Sequence, residues 1–154
     1  MLKEGDSAPD VTVQGADGVS GKLFGHVTAP LVLYFYPKDD TTGCTREAID
    51  FTSFIADFAA VGVSVIGISK DTPKKHAAFI KKHDLKIGLL TDADGSVCEA
   101  YGTWLEKSLY GRKYMGIDRA TFLIGSDRRI AKIWRKVKVA GHVEAVLAAA
   151  RALA

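Results

Sequence analysis

Six consecutive apolar residues, Leu31-Val32-Leu33-Tyr34-Phe35-Tyr36, stop at Pro37, and a second mostly apolar run, Val63-Ser64-Val65-Ile66-Gly67-Ile68, follows one helix length later. A continuous run of this kind is a strand buried on both faces, because a strand with one wet face alternates apolar and polar residues. Between the runs, from Cys44 onward, Ala48, Phe51, Ile55 and Phe58 fall on one helical stripe, with Asp50, Ser53 and Asp57 opposite. Strand and helix in alternation argue for parallel strands with helices on both faces of their sheet. Pro73 opens a further helix through about His83, with Asp71 or Thr72 as its cap. A short third strand, Ile87 to Leu90, leads into a brief helix in which Ser96 and Glu99 have capping-box spacing.

The two ends of the chain read differently. Val11-Thr12-Val13 and Lys22-Leu23-Phe24 are short extended pieces separated by glycines, a hairpin-like start. Thr121 to Ile124, a Ser126-Asp127-Arg128 turn and Ile130 to Trp134 read as an antiparallel hairpin, and the alanine-rich segment His142 to Leu153 as a closing helix. A strand–helix–strand half followed by a strand–strand–helix half is the thioredoxin-like layout. The expected class is therefore α/β: a thioredoxin-like fold with an N-terminal β-hairpin and a central mixed sheet flanked by helices. With no repeat, low-complexity tract or internal linker, the 154 residues read as one domain, 1–154.

The bulk numbers remove several function classes. Twenty-one basic against 18 acidic residues leave a net charge of +3, too small to argue for nucleic acid. Arg128-Arg129 and Arg135-Lys136-Val137-Lys138 read instead as the solvated face of a strand. The N-terminus lacks the apolar core of a signal peptide, and no run reaches membrane-span length, so no membrane partner is expected. Two cysteines 54 residues apart are no disulfide framework. A reducing, cytoplasmic setting fits such a chain.

Chemistry concentrates between the first strand and its helix, in Pro37-Lys38-Asp39-Asp40-Thr41-Thr42-Gly43-Cys44. A thiol in the first turn of a helix feels the positive end of the helix dipole and its free N–H groups, which favour thiolate over thiol. No second cysteine stands three residues away, so Cys44 reads as a lone nucleophile. The backbone N–H groups of Gly43 and Cys44 can face an anion, and the glycine lets a substrate approach closely. Thr41 either caps the helix or offers its hydroxyl to a substrate oxygen or to the thiolate. Glu47, one turn after Cys44 on the same face, can anchor an arginine or simply suit a first helical turn. Arg119, just before the strand Thr121 to Ile124, would bring a cationic fork to such a site, although spacing alone cannot bring it to Cys44. His76 and His83 have no acidic or cysteine partner at metal-ligand spacing and read as surface residues. No phosphate loop or serine nucleophile elbow is present.

Pro37-x-x-x-Thr41-x-x-Cys44 resembles the peroxiredoxin active-site pattern, and Tyr36 to Thr45 resembles the bacterioferritin-comigratory (PrxQ) branch in particular. The likeness extends over nearly the whole chain, through Glu4-Gly5-Asp6-Ser7-Ala8-Pro9-Asp10, Gly67-Ile68-Ser69-Lys70-Asp71, Ala100-Tyr101-Gly102 and Tyr110 to Phe122. It implies that Cys44 is the peroxidatic cysteine, that Thr41 and Arg119 bind peroxide and activate the thiolate, and that Pro37 shields the site. The implied reaction is thiolate attack on the distal peroxide oxygen, giving water or an alcohol and a sulfenic acid, with no metal or organic cofactor. Substrates would be hydrogen peroxide and organic hydroperoxides.

Departures from the pattern bear on how the oxidised sulfur is reduced again. Thr42 stands where a proline is frequent. Positions that carry a resolving cysteine in other members hold Ile49 and Ile80. Cys98, in the short helix after the third strand, is the one remaining thiol, and packing is its plainer reading. The expected cycle is therefore one-cysteine, recycled by an external thiol such as thioredoxin, glutaredoxin or glutathione, in a monomer or weak homodimer. Two alternatives stay open at this point: a two-cysteine cycle through Cys98, and a peroxide sensor that forms mixed disulfides with a partner.

Overall fold

In the computed structural model, which describes residues 1–153, the two long apolar runs lie at the centre of a seven-stranded sheet. They are β3 (Leu31–Phe35) and β4 (Ser64–Ser69), once the N-terminal hairpin of β1 (Thr12–Gln14) and β2 (Ser20–Lys22) is counted. The hairpin ends earlier than Lys22-Leu23-Phe24 suggests, because Leu23–His26 is a helical turn, α1. Leu23 is fully buried, and the Asp10 carboxylate accepts from the Phe24 N–H at 2.9 Å, which holds that turn in helical form.

Between β3 and β4 run α2 (Thr42–Ser53) and α3 (Ile55–Ala60), two pieces where the stripe suggests one helix. The Ser53 hydroxyl donates back to the Ile49 carbonyl at 3.0 Å, a bond that bends helices, and Phe54 leaves helical geometry. The stripe survives the break, with Ala48, Phe51 and Phe58 fully buried. After β4 come α4 (Pro73–His83), capped by Thr72 rather than Asp71, and β5 (Gly88–Thr91). The next helix, α5 (Ser96–Ala100), forms no capping box: Ser96 already lies inside it. Two aspartates cap it instead, Asp94 accepting from the Ser96 N–H and buried Asp92 from those of Val97 and Cys98.

A separate hairpin, β6 (Trp104–Leu109) with β7 (Arg112–Ile117), precedes β8 (Ala120–Ile124), β9 (Ile130–Trp134) and the closing α6 (His142–Leu153). The large sheet has the order β2-β1-β5-β4-β3-β8-β9, with β3, β4 and β5 parallel and β8 antiparallel to β3. This is the expected α/β fold with its leading hairpin and mixed sheet.

Alternate residues of β3 explain its unbroken apolar run. Val32 and Tyr34 enter a core built with α2, α3, α4 and α6, whereas Leu31, Leu33 and Phe35 enter a second core with α1 and α5. The basic clusters do not form a strand face. Arg128 and Arg129 lie in the β8–β9 turn, and Arg135 to Lys138 follow β9, where Arg135 donates to the Gly102 and Tyr101 carbonyls at 3.1 and 3.2 Å. Among the described residues no helix is long and apolar enough to cross a membrane.

Candidate active site

The break at Pro37 turns the chain out of the sheet at the carboxyl end of β3, where ligands of open α/β sheets bind. Five residues later α2 begins, with Thr41 at its N-cap and Cys44 in its first turn. The cysteine is only 2% exposed and packs in the core that holds Tyr34 and Tyr36. Arg119 reaches it from the far half of the sequence because β8 pairs with β3 and sets Ala120 opposite Phe35. Its guanidinium spans two acceptors: Nη2 donates to Cys44 Sγ at 3.4 Å and Nη1 to Glu47 Oε1 at 2.7 Å. Gly43 eases that approach in a way the sequence did not suggest. A Cβ at this position would lie 3.1 Å from Arg119 Nη2, so the glycine leaves room for the guanidinium.

Glu47 is completely buried, and Oε2 has no hydrogen-bond partner among the described residues. Burial pushes its carboxyl up to about 7, against the pull of Arg119. For Arg119 burial works against the charge, but Glu47 and Cys44 outweigh it and hold the guanidinium above its ordinary value. A carboxyl raised in the folded state keeps its proton there while the unfolded chain has lost it. The contribution of Glu47 to folding stability therefore falls as pH rises from about 4.5 to about 7 and is flat above. Glu47→Gln removes this cost. In urea titrations the variant is expected to match wild type near pH 4.5 and to exceed it by about 3 kcal/mol at pH 8. Equal stabilities at pH 8 would contradict the assignment.

Thr41 occupies the N-cap without capping. Its hydroxyl donates to the Lys38 carbonyl at 2.8 Å, and among the described residues it makes no hydrogen bond to Sγ and no side chain caps the first-turn N–H groups of α2. With its proton committed to Lys38, the exposed hydroxyl is left as an acceptor. Pro37, also exposed, opens this loop. The structure thus unites Cys44, Gly43, Glu47 and Arg119 in direct contact, with Thr41 and Pro37 on the adjoining loop.

The histidine reading is corrected. His76 is 2% exposed, and its Nδ1 lies 2.6 Å from Asp39 Oδ2, while His83 Nε2 lies 2.9 Å from Asp40 Oδ1. Both aspartates belong to the loop before Cys44, so α4 packs against that loop through contacts that spacing within α4 cannot reveal. Ligand atoms of Asp39, Asp71 and His76 lie within 4.8 Å of one another. They are nevertheless engaged already: His76 Nε2 faces the Leu90 carbonyl at 3.0 Å, and Asp71 Oδ2 accepts from the Asp39 N–H and the Ser69 hydroxyl.

Cys98 sits across the sheet. It is fully buried in the second core, apart from the core of Cys44. Burial first, and Asp92 next, push its thiol up to about 12. Ile49 is exposed on α2, and Ile80 packs at the edge of the first core.

Comparison with known proteins agrees with this geometry. The profile of the AhpC/TSA family matches residues 5–133. Peroxiredoxin bcp of Coxiella burnetii is 44% identical over 146 residues, which cover 95% of this chain and 97% of that protein. The chain is a thiol peroxiredoxin of the Bcp (PrxQ) branch. Peroxiredoxin Bcp of Bacillus subtilis, also 44% identical, covers 95% of this chain with 93% of its own length. A solved structure of the Xanthomonas campestris bacterioferritin comigratory protein, studied for its alkyl peroxide reduction, superposes with a TM-score of 0.87 at 38% identity. That likeness covers 98% of this peroxiredoxin and 96% of the solved chain.

Proposed function

We propose that Cys44 is the peroxidatic cysteine of a one-cysteine cycle acting on hydrogen peroxide and small organic hydroperoxides, alkyl peroxides included. The observation that carries this reading is the Arg119 guanidinium bridging Glu47 and the Cys44 sulfur. Arg119 Nη2 stabilises negative charge on the sulfur and stands ready for the charge that grows on the departing oxygen. Thr41 accepts from the peroxide O–H, and the uncapped N–H groups of Gly43 and Cys44 add a partial positive charge. The thiolate attacks the distal oxygen, the S–O bond forms as the O–O bond breaks, and the proton lost by the thiol goes to the leaving oxygen. Pro37 covers the entrance, and a sulfur only 2% exposed suits a substrate as slender as a peroxide.

Two external thiols, supplied by thioredoxin, glutaredoxin or glutathione, then reduce the sulfenic acid. They leave as a disulfide with one water. Support for the one-cysteine route is the placement of Cys98 in the other core, with Ile49 and Ile80 at the remaining positions. We take the chain to work as one domain over 1–154, a monomer or weak homodimer, in the reducing cytoplasm where its two buried thiols stay free.

Intact and peptide mass after one equivalent of hydrogen peroxide tests the reading. The expected product gains about sixteen mass units, on the Cys44 peptide, with Cys98 unmodified. A loss of two mass units would mean a Cys44–Cys98 disulfide and would overturn the one-cysteine cycle. An unmodified Cys44 would overturn the peroxidatic assignment.

A further inference from the structure

The loop that carries Thr41 is held from beneath by a buried hydrogen-bond network at the ends of three parallel strands. Tyr36, just past β3, donates its phenol O–H to Asp39 Oδ1 at 2.5 Å. Asp39 Oδ2 lies 2.6 Å from His76 Nδ1, and His76 Nε2 lies 3.0 Å from the Leu90 carbonyl in β5. The Asp39 N–H donates to Asp71 Oδ2 at 2.8 Å. Asp71 is itself held by the Ser69 hydroxyl at the end of β4 and, through its carbonyl, by the Thr91 hydroxyl at the end of β5. Two acceptors thus face the two ring nitrogens of His76. Outside this network, exposed Asp40 takes Lys82 and His83 at 2.7 and 2.9 Å, contacts that solvent weakens.

We propose that His76 is a positioning residue for peroxide reduction: paired with Asp39, it fixes the curvature of the Pro37–Thr41 loop and so the direction in which the Thr41 hydroxyl meets the substrate. Asp39 lies between Lys38, whose carbonyl accepts a hydrogen bond from the Thr41 hydroxyl, and Asp40, which adopts the left-handed conformation at φ 61°. A shift at Asp39 therefore turns Thr41 directly. It leaves Cys44, Glu47 and Arg119 in place, because the first two lie in α2 and Arg119, directly before β8, is bonded to both. The inference rests on Cys44 being the peroxidatic cysteine.

The two roles separate experimentally. Peroxide reduction needs the sulfur and the aimed hydroxyl, whereas alkylation by iodoacetamide needs the sulfur alone. His76→Phe and Asp39→Ala are each expected to slow oxidation of Cys44 by hydrogen peroxide about tenfold or more, the scale of a misplacement near 1 Å. Alkylation at the same pH should stay within about twofold. Asp39→Asn can keep these contacts: its amide oxygen accepts from Tyr36, and its N–H can donate to His76 Nδ1 while Nε2 still faces the Leu90 carbonyl. It should keep peroxide rates within about threefold of wild type. Should His76→Phe fail to fold, Asp39→Ala carries the same comparison, since it removes only a loop side chain. The inference is overturned if the folded variants oxidise at wild-type rate, if both reactions fall in parallel, or if Asp39→Asn is as slow as Asp39→Ala. A wild-type protein whose Cys44 ignores peroxide would instead remove the reading beneath it, and the inference with it.

Discussion

Cys44→Ser is expected to end peroxide consumption in the presence of dithiothreitol while leaving the fold intact. A serine hydroxyl is not ionised at neutral pH and cannot take the oxygen atom that a sulfur accepts. The substitution is nearly isosteric, and Arg119 Nη2, the hydrogen-bond partner of Sγ, can donate to oxygen equally well. Cys98 offers no substitute. It is fully buried in the other core, and a thiol pushed up to about 12 is ionised in only about one molecule in 10⁵ at pH 7. The rate should therefore drop at least about 10³-fold, to the background of the reductant alone. Consumption by the variant at a tenth of the wild-type rate would place the chemistry elsewhere.

Arg119→Met comes next in size. It takes away the one side-chain donor that reaches the sulfur among the described residues, and the counter-charge of Glu47, in the same step. The loss of one donor aimed at developing negative charge costs about 10²–10³ in rate, and stopped-flow oxidation by hydrogen peroxide should show a fall of that size. Glu47 tolerates the change, because a carboxyl already raised to about 7 is pushed further up when its cation is removed and takes a proton. Arg119→Lys should rescue little. The guanidinium reaches two acceptors with two nitrogens of one rigid fork, and a single ammonium cannot span both. A lysine variant within threefold of wild type would show that charge alone suffices.

What the sequence revealed depends on the range over which each signal acts. Pro37, Thr41, Gly43 and Cys44 lie within eight residues, so loop and helix start were legible together. Glu47 is legible from helical periodicity, one turn past the sulfur. Arg119 is 75 residues from Cys44, and the strand pairing that joins them leaves no trace in spacing; family resemblance supplied it. His76 was misread for the same reason. Its partner Asp39 is 37 residues away, and within α4 its seven-residue distance from His83 imitates a wet stripe. The β6–β7 hairpin escaped because its two-residue turn is Tyr110-Gly111, both at positive φ, where asparagine or aspartate usually announces such a turn. The helix stripe was legible, but its break was not, since Ser53 reads as an ordinary polar residue until its hydroxyl turns back on Ile49.

The sheet that divides the two cores gives the molecule two thiols with separate meanings. Cys44 meets solvent chemistry through a loop at the edge of the fold. Cys98 lies behind the strands, its neighbours Val97 and Tyr101 as fully sealed as itself. A reagent reaches it only when that core opens, so the pace at which Cys98 becomes available is a clock for cooperative opening of the domain. With Cys44 in the peroxidatic role proposed for it, one chain carries a reporter of oxidative exposure on one side of its sheet and a reporter of its own integrity on the other.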